Sequence, residues 1–249
     1  MTSMKKFVSA AQQLSVQLDI HADAFITGDL DALQLHCKNE SPDAIAGTDV
    51  IEHIYDLEKF FRALRQINPS IVSVFTTASN PANFFKVRAL KKIQLKDELE
   101  GGQPGDHILF GESPLEPFLK IREQVIQKKF NELPAKELAQ LAIATRGLAG
   151  VDIIKAVEQF LVSKKLPLPA EGTNTCNPLN GSWTERILSL DTYISLFRDA
   201  GFTCKFYAGF YNEYEPGAAA FVKKLLNGLI TIFGKQTSPY IVIVGHSNK

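Results

Sequence analysis

Cysteine is scarce in this chain, and no apolar run is long enough to cross a membrane. The three cysteines, Cys37, Cys176 and Cys204, lie far apart and form no CxxC pair. Neither a disulfide framework nor a zinc site is therefore expected, and we predict no metal site. This cysteine usage is typical of a reducing compartment, so we expect a cytoplasmic protein. Because no stretch reaches about 18 consecutive apolar residues, we predict no membrane span.

The chain also lacks an excess of charge of either sign. It carries 27 Lys and Arg residues against 27 Asp and Glu residues over its 249 positions. A broad nucleic-acid footprint needs a basic surface, so we expect no nucleic-acid partner. The apolar fraction of 45% is that of a globular chain that buries a core without disulfides or metals.

Short apolar segments alternate with amphipathic ones in the first third of the chain, which indicates an α/β fold with a parallel sheet covered by helices. One short apolar segment ends at Gly28-Asp29, a pattern typical of a buried parallel strand. The predicted strands are 24–27, 43–48 and 71–76, and the predicted helices are 4–17, 30–36 and 55–67.

The rest of the chain is mostly helical in pattern up to residue 165, with a turn-rich loop over 101–114 and another over 166–183. Beyond it we predict helices over 188–199 and 216–233, and strands over 203–211 and 240–244. The helix over 216–233 carries few lysines, so we expect it to pack against the sheet rather than lie on a membrane.

Two adjacent runs carry a resemblance to a known family. DAIAGTDVIEHIYDLEKFFRAL (43–64) and INPSIVSVFTTASNP (67–81) resemble the second half of a class I S-adenosylmethionine-dependent methyltransferase. Three features carry this resemblance: the Val-Ile-Glu-His-Ile turn at 50–54, the helix pattern from Asp56 to Leu64, and the strand that ends in a Thr-x-x-Asn-Pro-like segment. The Glu-His turn in this context is the most specific piece.

Segments outside this region extend the resemblance. FITGDLDAL (25–33) resembles the strand and Gly-Asp element that faces the cofactor adenine, and GFTCKFYAGFYN (201–212) with SPYIVIVGHSNK (238–249) resemble the antiparallel closing strands. The resemblance implies a core of residues 1–83 and 188–249, with 84–187 as a helical insertion that caps the acceptor. One element is missing, because no glycine-rich turn, which lets a backbone approach the cofactor closely, precedes Asp29. We therefore expect a Rossmann-like methyltransferase sheet that is N-terminally truncated.

The resemblance implies which residues face the cofactor, S-adenosylmethionine. They lie just beyond predicted strands, where ligands bind in open α/β sheets. For Asp29 the alternative is the N-cap of a short helix, a position that Asp favours. The cofactor-side residues are Asp29, Leu30, Gly47, Thr48 and Asp49.

Three residues are candidates for the catalytic step. His53 is a general-base candidate, because histidine titrates near neutral pH; in the family this Glu-His pair more often orients the loop and the helix beside it. Asp106 and His107 in the turn-rich loop are the other candidates, as a pair that deprotonates the acceptor. Cys176 has no histidine partner in the pattern, so we interpret it as a plain loop cysteine.

Arg122, Arg146 and Trp183 are the candidates for the acceptor side. Arginine binds an acidic acceptor by bidentate pairing, while the alternative is surface pairing with Glu123 or Asp152. A large aromatic such as Trp183 is more often part of a core.

The functional prediction is methyl transfer to a small-molecule or lipid-like acceptor. The alternative is a non-catalytic or truncated methyltransferase-like binding or interaction module. A dimer or a partner strand would complete an exposed sheet edge, so a homo-oligomer is a further expectation.

Overall fold

The structure, a computed structural model, describes residues 2–38, 41–101, 116–214 and 217–247. Over these ranges it contains four β-strands and nine α-helices. The strands are β1 (Ala44–Thr48), β2 (Val72–Thr77), β3 (Phe202–Ala208) and β4 (Ile241–Ser247). The helices are α1 (Thr2–Gln17), α2 (Leu30–His36), α3 (Leu57–Ile67), α4 (Phe84–Leu99), α5 (Phe118–Lys129), α6 (Ala135–Ala144), α7 (Val151–Ser163), α8 (Leu190–Asp199) and α9 (Ala218–Phe233). Single 3-10 turns cover Ile51–His53 and Gly234–Gln236.

The four strands form one open sheet in the order β1-β2-β4-β3. β1 and β2 are parallel, with Ala46 opposite Val74, and α3 connects them along the chain. β4 runs antiparallel to both of its neighbours, β2 and β3. The α/β class is therefore confirmed, with a mixed sheet rather than an all-parallel one.

The main core lies between one face of the sheet and the helices α3 and α8. The Asp56 carboxylate accepts a hydrogen bond from the Lys59 amide at 2.8 Å and so caps the start of α3. Phe61 of α3 packs on Phe197 of α8 with ring centroids 4.2 Å apart, and Phe75 of β2 lies beside Phe61. All three rings are buried, and each contributes about 2–3 kcal/mol by leaving water.

A second apolar cluster joins α5, α6 and α7. Its members Ile126, Leu141, Ile153 and Val157 are fully buried. These helices fall between β2 and α8 in the chain, within the segment that we interpret as an insertion, and their cluster is separate from the one on the sheet. The division of the chain into a core and an inserted cap stays a prediction.

The strand predicted over 24–27 is not formed. These four residues belong to no strand, and Ala24 and Ile26 are exposed. Ile26 lines a cavity together with residues of α2 rather than pairing with β1. Within the described ranges, the sheet therefore offers two strand ends on this side, not three.

The prediction that the helix over 216–233 packs against the sheet is wrong. Ile230 is the fully buried residue of α9, while Phe221 and Ile232 are 73% and 74% exposed. The polar face of the helix is the one held by the protein, because Asn227 exchanges hydrogen bonds with the backbone of Tyr211. Among the residues that the structure describes, no helix is long and apolar enough to cross a membrane.

Candidate functional site

The carboxyl ends of β1 and β2 lie side by side, because the two strands are parallel and in register. After β1 the backbone turns sharply at Asp49, whose amide donates to the Thr76 carbonyl at 3.0 Å. The 3-10 turn Ile51–His53 follows, and beyond β2 lies Ser79. Ligands of open α/β sheets bind at such an edge.

A loop that is distant in the sequence and contains Trp183 and Arg186 reaches this edge, where its backbone forms hydrogen bonds with the 3-10 turn. The Trp183 amide donates to the His53 carbonyl and the Arg186 amide donates to the Glu52 carbonyl, both at 3.2 Å. These two bonds fix Glu185 beside the turn. Sequence reasoning missed Glu185, because more than a hundred residues separate it from His53 and no local pattern marks it.

The contacts of His53 define which ring nitrogen carries its proton. Nδ1 lies 2.7 Å from the Trp183 carbonyl oxygen. Because a carbonyl oxygen only accepts, we assign the proton of the neutral ring to Nδ1. Nε2 is then an acceptor, 3.9 Å from the Glu185 carboxylate, and the side chain of His53 is 37% exposed. His53 is thus a partly accessible proton acceptor with a carboxylate near its reactive nitrogen.

Glu185 is held from its other side as well. Its second carboxylate oxygen accepts a hydrogen bond from the Ser79 hydroxyl at 3.2 Å. Both Glu185 and Asp49 adopt positive φ values, 44° and 50°. Such values are unusual for residues other than glycine and cluster at functional sites.

Glu52 is the buried acid of this site. One carboxylate oxygen accepts from the Thr77 hydroxyl at 2.7 Å, while Oε2 has no hydrogen-bond partner among the described residues. Burial raises the pKa of Glu52, and the negative charge of Glu185 raises it further, against the lowering effects of the Thr77 hydrogen bond and of His53. The hydroxyl of Tyr193 is likewise buried with no partner in the described ranges, and burial raises its pKa.

Replacing Glu52 with Gln is expected to stabilise the protein at neutral pH and to flatten the dependence of its stability on pH. Because the pKa of Glu52 is raised in the folded state, the folded protein holds a proton that the unfolded chain has already released. The free energy of unfolding therefore falls as pH rises from the unfolded value of 4.5 through the folded pKa. The loss is about 1.4 kcal/mol for each unit by which the pKa is raised.

Urea denaturation of both proteins from pH 4 to pH 8 measures this effect. The matched control is Glu58→Gln, which removes an exposed carboxylate paired with Arg62 on α3. If the wild type and Glu52→Gln curves stay parallel over the whole range, Glu52 does not bind the extra proton.

A cavity of about 490 Å³ adjoins the site. Its lining includes Asp29 and Leu30, together with Val50 and Ile54, which flank the turn with Glu52 and His53. The rest of its lining is mainly apolar and includes Phe60. The cavity therefore joins the start of α2 to the end of β1.

Asp29 has a structural role in addition to its place on the cavity. Its carboxylate accepts from the Asp31 and Ala32 amides at 3.1 Å and caps α2, which begins at Leu30 as predicted. The Leu30 amide is in the first turn of the helix, where amides have no acceptor within the helix.

The three predicted residues at the end of β1 lie near the cavity rather than in its lining. Gly47 faces the Phe75 ring, and a Cβ at this position would lie 3.0 Å from it. Packing in the core accordingly explains this glycine. Thr48 and Asp49 are exposed at the end of the strand.

The two arginines predicted to bind the acceptor, Arg122 and Arg146, form hydrogen bonds with other groups of the protein. Arg122 is fully buried, where its guanidinium pairs with Glu98 and Nε donates to the Ala142 carbonyl at 2.8 Å. Arg146 donates to the carbonyls of Ala170 and Gly172. The partners are thus a buried acid and backbone carbonyls, rather than Glu123 or Asp152 on the surface, and acceptor binding by these arginines stays a prediction.

Trp183 is a packing residue of the loop that carries Glu185. It is buried, its indole N–H donates to the Tyr55 carbonyl at 3.1 Å, and Arg186 stacks on its ring at 4.1 Å. Cys176 pairs with it across a short β-bridge. Burial raises the pKa of Cys176 to about 12, so the thiol stays protonated, in line with a loop cysteine.

Asp106 and His107 lie outside the described residues. Within the described ranges, no group of three or more His, Cys, Asp or Glu side chains could hold a metal ion. The structure thus brings His53 together with Glu185, Ser79 and Glu52 at one sheet edge.

No family model, no curated protein and no solved structure matches this chain.

Proposed function

We propose that this chain binds S-adenosylmethionine and transfers its methyl group to a small-molecule or lipid-like acceptor. The resemblance of residues 43–81 to class I methyltransferases supports this proposal. So does the sheet, in which two parallel strands are closed by an antiparallel pair, as the resemblance implies. We propose as well that this sheet is a Rossmann-like methyltransferase sheet.

The observation that carries the proposal is the shared cavity of Asp29 and Val50. Its mainly apolar walls suit an adenine ring, and its one carboxylate suits an exocyclic amino group. In this arrangement Asp29 accepts from the amino group and the Leu30 amide donates to a ring nitrogen. Thr48 and Asp49 lie at the strand end toward the transferred group.

Methyl transfer asks mainly for positioning of the two reacting atoms. S-adenosylmethionine, when bound, supplies an electrophilic methyl group, which the acceptor atom takes as the sulfur–methyl bond breaks and its electron pair stays on sulfur. Where the acceptor is a hydroxyl or an amine, His53 Nε2 takes the proton that the acceptor releases. Glu185 then lies beside the positive charge that develops on the His53 ring.

Isothermal titration calorimetry with S-adenosylmethionine and S-adenosylhomocysteine tests the proposal. We expect micromolar affinity for the wild type and a loss of about tenfold for Asp29→Asn, which removes one charge-assisted hydrogen bond. Asn caps a helix as well as Asp does, so this variant keeps α2 intact. The matched control is Asp56→Asn, which makes the same change at the N-cap of α3, at a residue that does not line the cavity.

Two outcomes contradict the proposal. Undetectable binding of both compounds at millimolar concentration would make the chain a binding or interaction module of methyltransferase-like architecture. Equal losses in Asp29→Asn and Asp56→Asn would assign the effect to helix capping rather than to the cavity.

A further inference from the structure

The helix α9 presents an unpartnered apolar face to solvent. Its exposed side chains at 221, 222, 225, 229, 232 and 233 fall within about a third of the helix circumference at 100° per residue. The opposite face is held by Ile230 and by the hydrogen bonds of Asn227 to Tyr211. The orientation of the helix is thereby fixed, with its apolar face outward.

The helix α4 presents a basic face with two exposed aromatic rings. Its buried residues are Leu90, Gln94 and Glu98, which share one side at a spacing of four. The outward side carries exposed Lys91 and Lys92. At the start of the helix Phe84 and Phe85 are 68% and 80% exposed and pack edge to face on each other.

Two asparagines tie the beginning of α4 to the turn that follows α9. Asn80 donates to the carbonyls of Lys235 and Ser238, at 2.8 and 3.0 Å, and Asn83 donates to the Ser238 carbonyl at 2.9 Å. Both asparagines are buried. The exposed Phe84 and Phe85 therefore lie by the same turn as the last residues of α9.

Charge is distributed unevenly over this neutral protein. The segment 80–96 holds five basic residues and no acidic residue, and the segment 217–238 holds three basic residues and no acidic residue. Basic side chains next to exposed apolar and aromatic ones are typical of helices that lie in a membrane interface. The two helices that the asparagines connect share this composition.

We propose that the outward faces of α4 and α9 dock on an anionic lipid membrane. We call them the α4–α9 surface, represented by Phe84, Phe85, Lys91, Lys92, Phe221 and Ile232. Lysines near a surface of anionic lipid are attracted to it, and the apolar side chains enter the boundary between headgroups and acyl chains. The inference goes beyond methyl transfer and does not depend on it.

Two other occupants fit these observations less well. A nucleic acid would pair with the lysines of α4 but would leave the apolar face of α9 in water. A second copy of the chain would cover that face, but its own basic residues would oppose those of the first copy. A lipid surface satisfies both the charge and the apolar area.

Vesicle flotation of the full chain tests the proposal. With phosphatidylcholine vesicles that contain about 30% phosphatidylserine, we expect the protein to float, and with phosphatidylcholine alone to bind at least tenfold more weakly. The double variant Phe221→Glu with Ile232→Glu is expected to lose about a hundredfold in partitioning. Lys91→Gln with Lys92→Gln is expected to lose about thirtyfold, and added salt is expected to weaken binding of the wild type.

The matched control is Val162→Glu with Leu168→Glu, which makes the same changes at side chains that are 89% and 91% exposed outside this surface. Its partitioning is expected to equal that of the wild type. The proposal is overturned if the wild type binds neither kind of vesicle, or if the control loses as much as the α9 variant. The proposal is also overturned if vesicle binding is absent and light scattering shows that the wild type is a dimer and the α9 double variant a monomer. The surface would then join two copies of the chain.

Discussion

Replacing Arg122 with Met is expected to lower the free energy of unfolding by about 3–5 kcal/mol, the largest effect we foresee for a single substitution. The side chain of Arg122 is fully buried, and its guanidinium pairs with Glu98, which is 8% exposed. Glu98 also accepts a hydrogen bond from the Thr175 hydroxyl at 2.7 Å. Removal of the arginine leaves this carboxylate in the interior without a counter-charge.

Urea denaturation of the variants measures the effect. Arg62→Met is the matched control, because Arg62 pairs with Glu58 on the exposed side of α3 and such surface pairs contribute less than about 1 kcal/mol. The double variant Arg122→Met with Glu98→Leu is expected to recover a large part of the loss, since it removes both charges. A loss for Arg122→Met no larger than that for Arg62→Met would show that the pair is not buried in solution.

This result also bears on the prediction that Arg122 binds the acceptor. A binding arginine lies open to its ligand, and its loss weakens binding while the fold remains. A buried structural arginine lowers stability instead. The sequence contains no sign of the buried pair, because Glu98 and Arg122 are 24 positions apart on two different helices and share no local pattern.

The elements that the sequence predicted correctly are those determined by local chemistry. β2 follows from its β-branched residues, and α3 from its apolar spacing and from Asp56 at its N-cap. α2 begins after Asp29 because a carboxylate at that point satisfies two free amides. In each case, residues within four or five positions of one another decide the structure.

The predictions that failed depend on partners far away in the chain. The segment 24–27 has a strand-like composition, but a strand needs a neighbour, and Ile26 lines a cavity with residues of α2 instead. The apolar face of α9 indicates burial by pattern alone, yet Asn227 turns the other face inward. Periodicity identifies an apolar face but does not say what covers it.

The candidate site was predicted only in part for the same reason. The turn at 50–54 and its His53 follow from the sequence, whereas Glu185 enters through backbone pairing of a loop that is distant in the chain. Glu185, which has a positive φ, lies next to that pairing, and its carbonyl accepts a hydrogen bond from Gln94 of α4. No sequence signal near Glu185 encodes either contact.

Replacing Gln94 with Leu is expected to loosen the loop that carries Glu185 and to lower stability by about 3 kcal/mol or more. The side chain is fully buried. Its amide nitrogen lies within hydrogen-bond distance of Asn174 Oδ1 and of the Thr184 and Glu185 carbonyls, at 3.1, 3.2 and 2.8 Å. A leucine fills much of the same volume but leaves the partly buried Thr184 and Glu185 carbonyls without this donor, while Asn174 Oδ1 keeps the Ile187 amide.

Hydrogen exchange separates this local effect from a general loss of stability. The amides of Trp183 and Arg186 bond to the turn of Glu52 and His53, so their protection is expected to fall by more than that of amides in β2 and β4, which lie in the centre of the sheet. The matched control is Gln124→Leu, which removes an exposed amide that donates to Glu116 on the surface, and neither measurement is expected to change. If Gln94→Leu lowers protection equally throughout the sheet and the loop, then Gln94 stabilises the whole fold and does not position Glu185. If the loss is confined to the loop, the helix α4 is what holds the acid beside His53.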